Sequence, residues 1–272
     1  MAPSSVPCGY PASAAAPAPL PRFSAWRPPA WVSALLLGGI GLMASSLLTA
    51  CAAEGQAGKL QGCATASTPC LNGTATVAMQ TSKGEVRFQL DGAAAPLTAG
   101  NFVDLVQRGA YDGTAFHRVV RQPTPFVVQG GDPLSANPVT PPTQYGLGNY
   151  LDPGTGEARL IPLEIRVQGE AQPRYGRELT TPGITRQLAL AHQRGALAMA
   201  RSADPNSASA QFYVALQALP ELDGRYAVFG RVSAGMDVID RIQQGDRILK
   251  AKVVEGGQLV KPGAQAPGKP AG

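Results

Sequence analysis

Arg118, Gln129 and Gln211 are polar residues set inside apolar, strand-like runs, and their types limit the chemistry open to them. An arginine carries a planar fork of donors and stays charged at any physiological pH. Burying it among Phe and Val side chains is costly unless amide oxygens satisfy that fork, and the two glutamines are of the right type. Taken one at a time, each of the three is ordinary on a solvated strand face. Taken together with the nearby aromatics, they describe an apolar pocket with one positive donor. Such a pocket suits a reaction that needs no nucleophile.

Other chemistries lack their residues. The chain has two histidines, His117 and His192, and no Gly-x-Ser-x-Gly elbow, Walker-type loop or His-x-x-x-His pair. No set of carboxylates has metal-ligand spacing, and no cysteine follows Cys70. Hydrolytic, phosphoryl-transfer and thiol chemistry are therefore poorly supported, and neither a metal nor a cofactor is expected. The net charge of +5 and a pI near 9.2 raise the question of nucleic acid. However, the basic residues stand singly among acids with no interleaved aromatics, so a mildly basic solvated surface is expected instead.

The elements that must position these groups lie between about residues 74 and 257, where the apolar period is mainly two. Thr76 to Met79 and Glu85 to Leu90 flank the turn Ser82-Lys83-Gly84 and predict a hairpin. Further strands are expected over Thr114 to Val120, Phe126 to Gln129, Gly195 to Ala200, Gln211 to Leu216, Ala227 to Val232 and Ile248 to Val254. Strict alternation puts Phe116, Arg118 and Val120 on one side of their strand and His117 with Val119 on the other. It also pairs Val127 with Gln129, and Gln211 with Tyr213. Two helices are expected. Pro96 to Arg108 carries Leu97, Phe102, Leu105 and Val106 on one face and stops at Gly109, and Met236 to Gln243 stops at Gly245. Antiparallel strands with two helices far apart in sequence predict a mainly β fold, a closed sheet with helices capping its open ends. One stretch exceeds that minimal plan. Pro133 to Tyr150 is rich in Pro, Gly, Asn and Thr, and irregular sequence continues to about Thr181, so residues 133–181 are too long for a plain connection. Ile161 to Ile165 is expected to rest on the body, and Arg186 to His192 to form a short helix.

The ends read differently. Residues 1–50 join a Pro- and Ala-rich segment bearing Arg22 and Arg27 to an apolar stretch from Trp31 to Leu48, the pattern of an export signal. Leu48-Thr49-Ala50-Cys51 resembles the bacterial lipoprotein box, with Cys51 the residue that would carry lipid. The alternative is an uncleaved membrane anchor. Both put the remainder outside the cytoplasm, in a periplasm-like compartment and held to a membrane. Residues 51–73 read as a flexible tether, within which Cys63 and Cys70 could close a small loop, although nothing in the sequence requires it. Residues 258–272 read as a disordered tail.

Five ordered segments resemble the cyclophilin family: Phe116-His-Arg-Val-Val120, Phe126-Val-Val-Gln-Gly-Gly-Asp132, Gly195 to Ser207, Ser209-Ala-Gln-Phe-Tyr213 and Leu222 to Arg231. The resemblance implies an eight-stranded antiparallel β-barrel capped by two α-helices, and peptidyl-prolyl cis-trans isomerase activity on proline-containing segments of exported proteins, as a monomer. By position it makes Arg118 the catalytic arginine and Gln129 the glutamine that positions it. Phe126, Val127, Tyr213 and Leu222 fall on the proline pocket, Gln211 on the groove, and Ala200 with Arg201 on the segment whose backbone holds substrate. His117 is a family signature read as structural. Three departures stand out: Glu221 where many members carry Trp, Tyr226 where they often carry His, and Tyr213 in place of Phe. Loss of the rim Trp implies weak cyclosporin binding. The competing expectations are a proline-binding scaffold without turnover and a holdase chaperone on the same barrel.

Overall fold

A computed structural model describes residues 62–261. The expected signal over residues 1–50, Cys51 and the tail beyond Lys261 lie outside those residues. Strands β1 (Cys70–Thr81) and β2 (Gly84–Asp91) form the expected hairpin, followed by helix α1 (Pro96–Gln107) and strands β3 (Arg118–Val119) and β4 (Val127–Gly130). Next come the small hairpin β5 (Glu164–Ile165) and β6 (Arg174–Tyr175), and the single turn α2 (Pro182–Thr185). Strands β7 (Ala196–Met199), β8 (Phe212–Ala215) and β9 (Val228–Ala234), helix α3 (Met236–Arg241) and β10 (Ile248–Val260) complete the order.

Eight of the strands make one antiparallel sheet in the order β10-β1-β2-β9-β7-β8-β4-β3. The segments just ahead of β3 and β10 also meet. Ala115 bridges Arg247, Phe116 N–H donates to the Asp246 carbonyl at 2.8 Å, and Ile248 N–H donates to the Thr114 carbonyl at 2.8 Å. Inside lies an aromatic core centred on Phe212, whose ring meets Phe102 edge-on at 5.4 Å, Tyr111 at 5.5 Å and Phe116 at 6.5 Å. Such edge-to-face pairs favour one ring arrangement over its alternatives.

Helix α1 is more deeply buried than its sequence pattern predicts. Every residue from Leu97 to Val106 is buried, Asn101 and Asp104 included. The residues beyond position 133 cover the second face: Arg159 donates to Asp104 and Asn101 donates to the Ser209 carbonyl at 2.8 Å. The helix also lacks a side-chain cap from its own N-terminal neighbours. Its orphan amides are met instead by Glu164, which accepts from Leu97 N–H at 3.1 Å and Thr98 N–H at 2.7 Å.

Four expectations need correction. The strand around Arg118 is only two residues long, so alternation fails at His117: Phe116 points into the core, and Arg118 is exposed. Residues 186–192 are not helical, and Leu188 instead bridges Val167. The stretch assigned to a tether is folded from residue 62 onward. Cys63 and Cys70 are disulfide-bonded, Ala66 and Thr68 are buried, and the chain runs so close to α1 that a Cβ at Gly100 would sit 2.3 Å from the Pro69 carbonyl oxygen. At the other end, residues 258–260 belong to β10 rather than to a tail, because they pair with β1 as far as Cys70. The long insertion is docked over much of its length, with Leu163, Ile165, Val167 and Leu179 joining Leu188 and Ala227 in a separate apolar cluster.

Candidate active site

Period-two geometry in β8 sends Phe212 and Val214 inward and leaves Gln211, Tyr213 and Ala215 on the outer face. Strand β4 does the same with Val128 inward and Val127 and Gln129 outward. Register then aligns the two faces: Arg118 lies opposite Gln129, Gln129 opposite Tyr213, and Tyr213 opposite Ala198. Opposed residues on one face are within side-chain reach of each other. One row across four strands therefore carries the arginine, a glutamine and the tyrosine.

Around that row sits a second apolar cluster, separate from the main core. Val127 and Tyr213 are buried in it with Ala196, Ala198 and Leu219, and Phe126, Ala200, Leu222 and Tyr226 are half-buried against it. Every apolar residue assigned to the pocket from sequence is in this group. Tyr213 and Tyr226 meet edge-on at 5.9 Å. Burial pushes the Tyr213 hydroxyl well above the ordinary phenol range, so it stays protonated.

At the mouth, the Arg118 guanidinium lies 5.7 Å from the Phe126 ring centre and donates to Gln129 Oε1 at a long 3.4 Å. Gln129 Nε2 donates to Gln211 Oε1 at 3.2 Å. Gln211 Nε2 in turn donates to the Gly146 and Gly148 carbonyls, each at 2.9 Å. The guanidinium is thus steadied on one side and keeps donors for a ligand.

Arg201 does more than its sequence position implies. Its side chain is only 5% exposed, lies 4.8 Å under the Tyr226 ring, and donates to the Arg225, Ser202 and Ala203 carbonyls. It also bonds Glu178 of the insertion at 2.5 Å. Arg201 therefore supports the Tyr226 side of the pocket from beneath. Leu179 reinforces the same rim, its N–H donating to the Gly224 carbonyl at 2.8 Å. Gly224 has φ +76°, and a Cβ there would lie 2.0 Å from the Leu179 carbonyl oxygen, so only glycine fits.

Beside the pocket, across Gln129 and Gln211, opens a cavity of about 330 Å³. Its remaining walls include Ala200, Arg201, Ser207 and Ser209, with Leu147 and Leu160 from the insertion.

Two residues of the site were not singled out from sequence. His192 Nε2 lies 2.9 Å from the Tyr213 hydroxyl and its Nδ1 lies 2.8 Å from Asp223 Oδ1. Their separation in the chain gave no motif; the only cue was a histidine with no local partner. His117 lies outside this network, with neither ring nitrogen hydrogen-bonded.

A mainly antiparallel sheet bearing an apolar cup on its outer face, with a guanidinium at the lip, defines a cyclophilin-type protein. The chain belongs to that family: the sequence model for cyclophilin type peptidyl-prolyl cis-trans isomerase/CLD matches residues 76–263. A Synechocystis sp. protein named as a thylakoid lumen peptidyl-prolyl cis-trans isomerase is 42% identical over 201 residues, covering 70% of this chain and 50% of that protein. Arabidopsis thaliana peptidyl-prolyl cis-trans isomerase CYP38, chloroplastic, is 41% identical over 180 residues, covering 62% and 38%. Peptidyl-prolyl cis-trans isomerase-like 1 of Gibberella zeae is 33% identical over 193 residues, covering 67% and 96%. The chain thus spans half or less of the first two relatives and nearly all of the third.

Proposed function

We propose that this chain is a peptidyl-prolyl cis-trans isomerase that acts on proline-containing segments of exported polypeptides, with Arg118 as its catalytic residue. The observation that carries the reading is the cross-strand row of Arg118, Gln129 and Tyr213 beside the apolar cup of Phe126, Val127, Leu222 and Tyr226. The sheet, whose edges meet at Ala115 and Arg247, we read as a closed barrel.

The chemistry follows from the bond. Amide resonance sets a rotation barrier of ~18–20 kcal/mol. In the twisted transition state that resonance is lost, and the nitrogen lone pair localises. A guanidinium donor aimed at that nitrogen, or at the rotating carbonyl, stabilises the twisted form more than the planar one. In this reading the cup grips the pyrrolidine ring, Gln129 steadies Arg118, and the acyl side turns. The backbone of Ala200 and Arg201, with Gln211, holds the flanking chain.

Names of relatives that specify a lumenal or chloroplast location support work outside the cytosol. We further propose that the chain is tethered to a membrane through lipid on Cys51 or an uncleaved anchor, and acts as a monomer. Mass spectrometry of the mature N-terminus tests the attachment. A protease-coupled assay on an Ala-Ala-Pro-Phe peptide tests the activity. Arg118→Ala is expected to lower turnover by about 100-fold or more, the scale of losing one transition-state donor. Equal turnover by the variant would sink the mechanism. Peptide binding without turnover in the native chain would favour a scaffold.

A further inference from the structure

His192 is buried just ahead of β7, and its two ring nitrogens face different partners. On one side, Asp223 Oδ1 stands 2.8 Å from both the backbone N–H and Nδ1 of His192. A carboxylate oxygen already taking one N–H has no proton to offer, so Nδ1 carries the hydrogen and Nε2 presents its lone pair. On the other side, the Tyr213 hydroxyl at 2.9 Å is therefore the donor to Nε2. The two rings are nearly parallel, 13° apart with centres 6.0 Å from each other. Asp223 directly follows Leu222, so the carboxylate that fixes the imidazole also ties the rim of the cup to its floor.

We propose that His192 is a positioning residue of the cup: clamped by Asp223 as the tautomer that accepts at Nε2, it holds the Tyr213 hydroxyl turned away from the ligand, so that Tyr213 offers only its ring to a bound pyrrolidine. The proposal rests on the isomerase reading only for what the cup holds. It explains how a phenol serves in a pocket made otherwise of apolar side chains. A hydroxyl left without an acceptor there would carry its desolvation cost into the binding surface. It also makes the cup sensitive to protonation, because a charged imidazole donates at Nε2 and removes the acceptor. Asp223 and Glu221 face His192 from the rim, and Tyr213 faces it from β8; Tyr226, Arg201 and Arg118 act on Tyr213 itself.

The test is the dissociation constant of an Ala-Ala-Pro-Phe peptide, measured by NMR titration on the full chain, with turnover followed in parallel. Four proteins complete a cycle: the native chain, His192→Leu, Tyr213→Phe and the double variant. With Tyr213 present, His192→Leu is expected to weaken binding roughly fivefold, the scale of one hydrogen bond. With phenylalanine at the position, the same change is expected to cost less than about twofold, because no hydroxyl needs the acceptor. Equal factors in both backgrounds overturn the proposal. His192→Gln provides a second arm if the leucine variant does not fold. A glutamine can donate to Asp223 and accept from Tyr213 without titrating, so its affinity is expected to stay level on acidification while that of the native chain falls. Coincident pH profiles overturn the proposal, leaving the isomerase reading intact if the native chain turns substrate over. A native chain that neither binds nor turns over the peptide removes both.

Discussion

The side-chain amide of Gln129 donates to Gln211 Oε1 across 3.2 Å, and Gln211 is itself held by two carbonyls of the insertion, at Gly146 and Gly148. The guanidinium of Arg118 and the backbone of the insertion are thereby the two ends of one hydrogen-bonded chain. Gln211→Leu cuts that chain in the middle while roughly keeping volume. It is expected to lower kcat/KM by about fivefold, the ~1 kcal/mol scale of the one neutral hydrogen bond through which it steadies Gln129. In an Arg118→Ala background the further loss should be much smaller, because coupled residues are not additive. Full additivity would mean that Gln211 acts independently of the arginine.

Arg201 supports Tyr226 through a stacked contact, and its planar fork bonds carbonyls that a lysine could not reach together. Arg201→Lys should therefore raise KM by about fivefold, matching ~1 kcal/mol for a cation–π contact, with a smaller change in kcat. Steady-state kinetics on the same peptide will separate the two. An unaltered KM would show that the Tyr226 rim stands without it.

Glu164 joins the insertion to the N-terminus of α1 and also accepts the Tyr175 hydroxyl at 2.8 Å. Burial pushes its carboxyl up despite these donors, a sign of how completely it is removed from water. Glu164→Ala leaves buried donors without a partner and is expected to destabilise the fold by about 2–3 kcal/mol in urea melts. Glu157→Ala, at an exposed position nearby, should change stability by less than about 0.5 kcal/mol. Equal effects from the two changes would refute the capping role.

Both histidines are pushed below the ordinary imidazole range by burial, with Asp223 opposing in part at His192 and Asp132 at His117. The unfolded chain takes up these protons near pH 6.5, and the folded chain only at lower pH. Between those values the unfolded state binds more protons, so stability is complete above about pH 6.5 and falls as the pH drops below it. The midpoint of thermal unfolding should be level from about pH 7 to 8 and decline between about 6.5 and 5, above the carboxylate range. His192→Gln should shrink that decline, and an identical slope would exclude His192 as a contributor.

Parts of the site that rest on local period were legible from the sequence alone. Gln211 with Tyr213, and Val127 with Gln129, sit on the outer face because β8 and β4 are regular and one side of each meets the core. The pairing of Phe116 with Arg118 failed for the same physical reason in reverse: a strand of two residues is too short to sustain alternation. Contacts set by tertiary packing had no local signature. Glu164 reaches α1 across 67 residues and His192 reaches Asp223 across 31, and no spacing rule links such pairs. The insertion carries no legible period because its apolar residues are spaced for docking on the body, in neither a helical nor a strand pattern.

The Cys63–Cys70 bond also determines how the molecule bears load. Tension arriving from upstream of Cys63 crosses the sulfurs to Cys70 and bypasses residues 64–69, so the small turn there cannot be pulled straight. It then enters β1, which has neighbours on both sides, β10 and β2. A strand pulled along its own axis loads its ladder bonds in parallel, and β1 has a ladder on each side. A pull from upstream is therefore taken up by both ladders of β1 together.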